Sequence, residues 1–152
     1  MFNLQEKLNE LNLELPEAPS PAANYLPFIR TGNLLFISGQ ISSDEKGLIT
    51  GVLGKNMTVE EGYKAAERCG LSLVAHLNSA LEGDFSAFRR VVRLAGFVNS
   101  DIEFKDHPKV LNGASDLMVR IFGEKGQHMR VAVGATLPLG VAVEVEGLFE
   151  VI

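Results

Sequence analysis

The stretch from Thr58 to Gly83 leaves this chain little freedom. Thr58 and Glu61 stand in capping-box spacing, where the Thr hydroxyl and the Glu carboxylate each satisfy an orphan backbone N–H at a helix start. Val59, Tyr63, Ala66, Leu73, Leu77 and Leu81 then recur on one face at helical spacing, and Gly83 marks the stop. The pattern predicts a long amphipathic helix whose apolar stripe must be buried against another layer.

What surrounds that helix reads mainly as strand. Two apolar runs, 26-LPFIR-30 and 34-LLFIS-38, joined by Thr31, Gly32 and Asn33, predict a hairpin with glycine in its turn. After the helix, 88-FRRVVRLAGFVNS-100 is rich in Val and Phe and predicts a long strand. A second helix follows, with Asp106 at its N-cap and Pro108 in its first turn, where a missing N–H costs nothing. Its apolar face is Val110, Ala114, Leu117, Ile121 and Phe122, and Gly123 and Gly126 surround its end. Strands 130-RVAVGAT-136 and 141-VAVEVEGLFEV-151 close the chain around a turn at 137-LPLG-140. The segment 42-SSDEKGLITG-51 reads as an exposed loop. The order β-β-α-β-α-β-β predicts an α+β fold, a sheet with two helices packed on one face.

At the N-terminus, Leu4, Leu8, Leu11 and Leu15 recur at helical spacing and predict a short helix packed on the body. The connector 16-PEAPSPAA-23 can be neither helix nor central strand. Residues 1–21 therefore read as an extension with a proline-rich connector, and residues 22–152 as the domain proper.

The strands predict a partner as well. In 88–100, Val92, Leu94, Gly96 and Val98 alternate with Val91, Arg93, Ala95 and Phe97, and in 130–136 both faces are small or apolar. A sheet with one solvated face should alternate apolar with polar. Two helices cover one face, so a second copy of the chain is the simplest cover for the other.

Composition narrows the function classes. A chain of 152 residues fits one domain, able to bury roughly 70% of its unfolded surface. A net charge of −5 argues against nucleic-acid binding, which requires a basic face. One cysteine, Cys69, excludes an internal disulfide, fits a reducing compartment and reads as a small buried hydrophobe. No apolar run spans a bilayer, and the N-terminus lacks a signal peptide's charged start and apolar stretch, so a cytoplasmic location is expected. His76, His107 and His128 are scattered, with no metal-ligand spacing, so no metal is expected. His76 reads as lying on the polar side of its helix and His107 as a helix-start residue. No dinucleotide, Walker or nucleophile-elbow motif is present. Arg89, Arg90 and Arg93 read as a solvated basic edge.

Against this background Arg130 and Glu144 stand out. Each places a charge in an otherwise apolar strand, and a lone charge there needs a partner or a ligand. An ion pair of Arg130 with Glu144 or Glu146 is the structural alternative. Side-chain alternation puts Glu144, Glu146 and Glu150 on one strand face, the last two solvated.

Taken together, 25-YLPFIRTGNLLFISGQI-41, the helix–strand–helix middle, and Arg130 followed by the Val-Glu-Val-Glu run ending at Glu146 resemble the RidA/YjgF family. These are the reactive-intermediate deaminases, also called L-PSP endoribonucleases. The resemblance covers about residues 22–152. The stretches 96-GFVNS-100 and 107-HPKVLNGAS-115 resemble a divergent subgroup. The resemblance implies a chorismate-mutase-like fold, a homotrimer with small-molecule clefts between subunits, and hydrolysis of enamines and imines such as 2-aminoacrylate to 2-keto acids and ammonia, without cofactor. It implies Arg130 as the carboxylate-binding arginine and Glu144 as the glutamate that orients water or relays a proton. Tyr25, Ser38, Gly39 and Asn112 match further cleft residues. Ala132 stands where deaminase members often carry a cysteine, Met129 replaces a small residue or proline, and the stretch from Arg130 to Glu144 is one residue shorter than the common pattern. With this resemblance, three functions are open: an imine deaminase (2-iminobutanoate/2-iminopropanoate type), a non-catalytic binder of small carboxylates such as keto acids, and, last, a ribonuclease.

Overall fold

The computed structural model describes residues 1–18, 20–21 and 23–152; Pro19 and Ala22, both in the connector, lie outside the described residues. Its elements run α1 (Leu4–Glu10), β1 (Phe28–Thr31), β2 (Leu34–Ile41), β3 (Ser43–Asp44), β4 (Gly47–Leu48), α2 (Val59–Ala80), β5 (Phe88–Asn99), α3 (His107–Phe122), β6 (Met129–Ala135) and β7 (Val143–Val151). Five strands form one sheet in the order β1-β2-β7-β5-β6, antiparallel throughout except for the parallel pair β5–β6. The expected α+β order is present.

The capping box forms as its spacing predicts: the Glu61 amide donates to Thr58 Oγ1 at 3.2 Å, and the Thr58 amide donates to the Glu61 carboxylate at 2.8 Å. Helices α2 and α3 lie together on one face of the sheet. They approach closely because residue 113 is glycine: a β-carbon there would strike the backbone carbonyl of Tyr63 in α2. Leu73, Leu77, Val110, Leu117, Leu94, Val145 and Phe149 fill the layer between helices and sheet. Helix α1 joins the same core through Leu4 and Leu8, and Phe2 packs on Phe85 and Phe122.

Three local readings need correction. Segment 42–51 is not simply an exposed loop. Ser43–Asp44 pairs with Gly47–Leu48, and Ser42 is fully buried, donating to the Ile49 carbonyl at 2.9 Å and accepting from the Val143 amide at 3.2 Å. Strand β5 does not alternate simply, because its register against β7 shifts between Phe88 and Arg90 and again between Val91 and Arg93. These irregularities put Val91 in the core beside Leu94 and leave Val92 half-buried. His76 is buried rather than on a polar face: α2 is enclosed on every side from Cys69 to Leu77.

Among the described residues no helix lies on the second face of the sheet. Ile29, Phe36, Val131 and Val133 all remain at least 38% exposed there. Strand β6 is the sheet edge, and Arg130 near its start is exposed rather than sunk in the sheet.

Candidate functional site

The residues singled out in the sequence collect in two places. Tyr25, Ser38, Gly39 and Glu144 share a cavity of about 320 Å³ at the end of β2, with Pro138, Leu139 and His76 also in its wall. Strand β1 pairs with β2 only as far as Ile37, so the sheet opens here. The ladder to β7 is also irregular between Ile37 and Gln40. The Ser38 hydroxyl donates to the Leu26 carbonyl at 2.7 Å, tying the Tyr25 segment to β2. Gln40, absent from the sequence-based selection, is buried and donates from Nε2 to the Ser38 carbonyl at 2.8 Å.

Glu144 reaches the cavity across Gly39. A β-carbon at position 39 would sit 3.1 Å from the Glu144 carboxyl carbon, so glycine is what leaves the carboxylate its place. Burial pushes the Glu144 carboxyl above its ordinary range, and the charge of Glu146 adds to the effect. His76 is 3% exposed, and its Nε2 has no hydrogen-bond partner among the described residues. Burial lowers its affinity for a proton and favours the neutral imidazole. Cys69 is buried close by, donates weakly to the Val143 carbonyl at 3.5 Å, and has its thiol pushed far up by burial.

Arg130 and Asn112 meet at the opposite edge of the sheet. Arg130 Nη1 donates to Asn112 Oδ1 at 2.8 Å and to Ser115 Oγ at 3.1 Å, and Nη2 donates to the Pro108 carbonyl at 3.4 Å. A guanidinium carries five N–H groups: one on Nε and two on each terminal nitrogen. Among the described residues these contacts use both protons of Nη1 and one of Nη2, leaving the Nε–H and one Nη2–H on two nitrogens of the same carbon. Two such donors match the two oxygens of a carboxylate. Ala132, two residues on, is half-buried against the core.

An ion pair between Arg130 and Glu144 or Glu146 is not present among the described residues. The register explains why. Arg130 is level with Leu94 and Gly147, which face the helices, whereas Glu144 is level with Phe97 and Ile41 on the other face. The two rows are three residues apart, roughly 10 Å along the strands. Ser115 and His128, which the sequence reading left out, complete the surroundings of Arg130: Ser115 Oγ lies 2.9 Å from His128 Nε2. Ser115 falls within the 107–115 stretch already noted as distinctive, which was the available clue.

Comparison with known proteins agrees with this architecture. The family described as "YjgF/chorismate_mutase-like, putative endoribonuclease" matches residues 5–149. Protein TCP17 of Trypanosoma cruzi is 47% identical over 146 residues, covering 94% of this chain and 91% of that protein. A crystal structure from Shewanella oneidensis, carrying the same endoribonuclease description, is 36% identical and superposes with a TM-score of 0.93 over 98% of this chain and 99% of the other. RidA from an Antarctic Psychrobacter shares the fold at 23% identity, with a TM-score of 0.55 over 89% of this chain and 94% of that one. The family match over nearly the whole length and the 47% identical relative place it: the chain belongs to the YjgF/chorismate-mutase-like family.

Proposed function

We propose that this protein hydrolyses reactive 2-imino acids to 2-keto acids and ammonia, in clefts formed where two copies of the chain meet. The observation that carries this reading is the state of Arg130: held by Asn112, Ser115 and Pro108, it keeps two adjacent N–H groups for a carboxylate. Arg130 and Glu144 lie on opposite faces of one sheet, so within a chain they cannot grip the same small molecule. A second copy covering the exposed Ile29, Phe36, Val131 and Val133 face supplies the missing half. A homotrimer closes this arrangement with three equivalent clefts.

The chemistry needs little from the protein. Arg130 anchors the substrate carboxylate, and Tyr25, Ser38, Gly39 and Asn112 shape its surroundings. A water oxygen bonds to the imine carbon as the C=N electron pair moves to nitrogen, which takes up a proton. Glu144 receives the proton that the water loses, a role suited to a carboxyl held above its ordinary range. The carbinolamine then collapses: its hydroxyl becomes the ketone and gives solvent a proton, replacing the solvent proton that the nitrogen took up. The C–N bond breaks, and ammonia leaves with the proton returned from Glu144. No step calls on a metal or cofactor.

One feature favours non-catalytic binding of keto acids instead. Ala132 stands two residues after Arg130, where the resemblance implies a cysteine in many deaminase members. A coupled assay separates the two: a PLP-dependent threonine dehydratase generates the imine, and keto-acid formation is timed with wild type, Arg130→Ala and buffer. Acceleration by wild type alone supports the hydrolase. Equal rates in all three, with saturable keto-acid binding to wild type, leave the binder.

A further inference from the structure

The immediate surroundings of Arg130 contain a hydrogen-bond relay in which each link has one direction. His128 Nδ1 lies 2.6 Å from the Gly126 carbonyl, which can only accept, so the proton of a neutral imidazole sits on Nδ1. Nε2 then presents a lone pair, and the Ser115 hydroxyl, 2.9 Å away, must donate to it. With its proton committed, Ser115 Oγ turns its own lone pairs to Arg130 Nη1 at 3.1 Å. The relay is anchored firmly. Gly126 is buried against α3 so closely that a β-carbon there would run into the Met118 carbonyl, which fixes the position of the accepting group.

We infer that Ser115 and His128 are positioning residues that fix the guanidinium of Arg130 in its carboxylate-gripping pose. The inference rests on the carboxylate-binding reading of Arg130 and extends it to two residues that act through Arg130. Asn112 and Ser115 together use both Nη1 protons, which stops rotation of the guanidinium and keeps the free Nε–Nη2 side turned outward. Without His128, the Ser115 hydroxyl is free to rotate and point its proton at Arg130, where it opposes the cation. His128 thus acts only through Ser115.

The test is titration calorimetry with 2-ketobutyrate on wild type, Arg130→Ala, Ser115→Ala, Ser115→Thr, His128→Ala and the Ser115→Ala/His128→Ala double variant. Ser115→Ala should weaken binding roughly tenfold, the scale of one hydrogen bond to a charged group, and Ser115→Thr should restore most of it. The double variant should bind no worse than Ser115→Ala, because residues acting in series do not add. Nitrogen NMR of His128 should show the proton on Nδ1. In the dehydratase assay, Ser115→Ala should raise KM and leave kcat nearly unchanged. Additive losses, a proton on Nε2, or wild-type affinity in Ser115→Ala while Arg130→Ala loses binding would overturn the relay and leave the carboxylate reading standing. Wild-type binding by Arg130→Ala, or no binding by wild type, would overturn both.

Discussion

The two edges of the sheet differ in a complementary way. At the β2 edge a cavity encloses a carboxyl and a neutral imidazole, and among the described residues no arginine or lysine side chain borders it. At the β6 edge a cation is exposed and hydrogen-bonded, with two donors unspent and no carboxylate paired with it among the described residues. The first is a place for chemistry that lacks a grip on an anion. The second is a grip without an enclosure. Each half lacks what the other carries, and the uncovered apolar face is the means by which copies would bring them together.

Mixing two inactive variants tests that complementarity with the largest expected effect. Arg130→Ala and Glu144→Gln should each be inactive when alone. Unfolded and refolded together in equal amounts, random assembly gives about a quarter of clefts an intact Arg130 from one copy and an intact Glu144 from another. Activity recovered to near that fraction supports a shared cleft. No recovery, from mixed oligomers shown to form, would mean that each half works within its own chain.

The comparison also shows where sequence was sufficient. The capping box and the proline in the first turn of α3 are local, and each formed where its spacing put it. The attraction of Arg130 to Asn112 and Ser115 was not legible, because it depends on α3 lying over the β5–β6 pair. Sequence offered Glu144 or Glu146 as the structural alternative, an ion pair with Arg130, but register separates them from it. The buried state of His76 was hidden for a similar reason: a helical wheel knows one buried face, whereas α2 is enclosed all round in its C-terminal half. The irregularities in β5 are set by its pairing with β7, more than forty residues away.

Glu144→Gln alone sharpens the account of the cavity. If Glu144 moves the proton, the rate should fall by roughly 10²-fold or more, while keto-acid affinity, which depends on Arg130, changes little. Stability should move the opposite way. The folded carboxyl binds its proton more tightly than the unfolded one, whose ordinary value is 4.5. Between 4.5 and the raised folded value the native state holds more protons, so stability declines as pH rises through that window. Glutamine removes this penalty, and chemical denaturation at pH 7 should show a more stable, slower protein. Gly39→Ala is milder. Its methyl group must displace a carboxylate only 3.1 Å away by a few tenths of an ångström, so activity should fall about tenfold, with little change in folding stability.

The smallest effect concerns His76, the member of the cavity wall with an unmet hydrogen bond. A buried polar nitrogen without a partner costs roughly 1–3 kcal/mol, and an apolar side chain of similar size removes that cost. His76→Leu also suits a helix interior. It should therefore stabilise the protein by about 1 kcal/mol, a rise in Tm of roughly 2–4 °C for a chain of this size. The gain should grow below pH 6.5, because the unfolded imidazole takes a proton there while the buried one resists it, and native stability falls with pH until the folded group also titrates. Equal stability of the two proteins at every pH would show that water or a ligand already satisfies Nε2. Greater stability combined with weaker keto-acid binding would place His76 among the groups that hold the ligand.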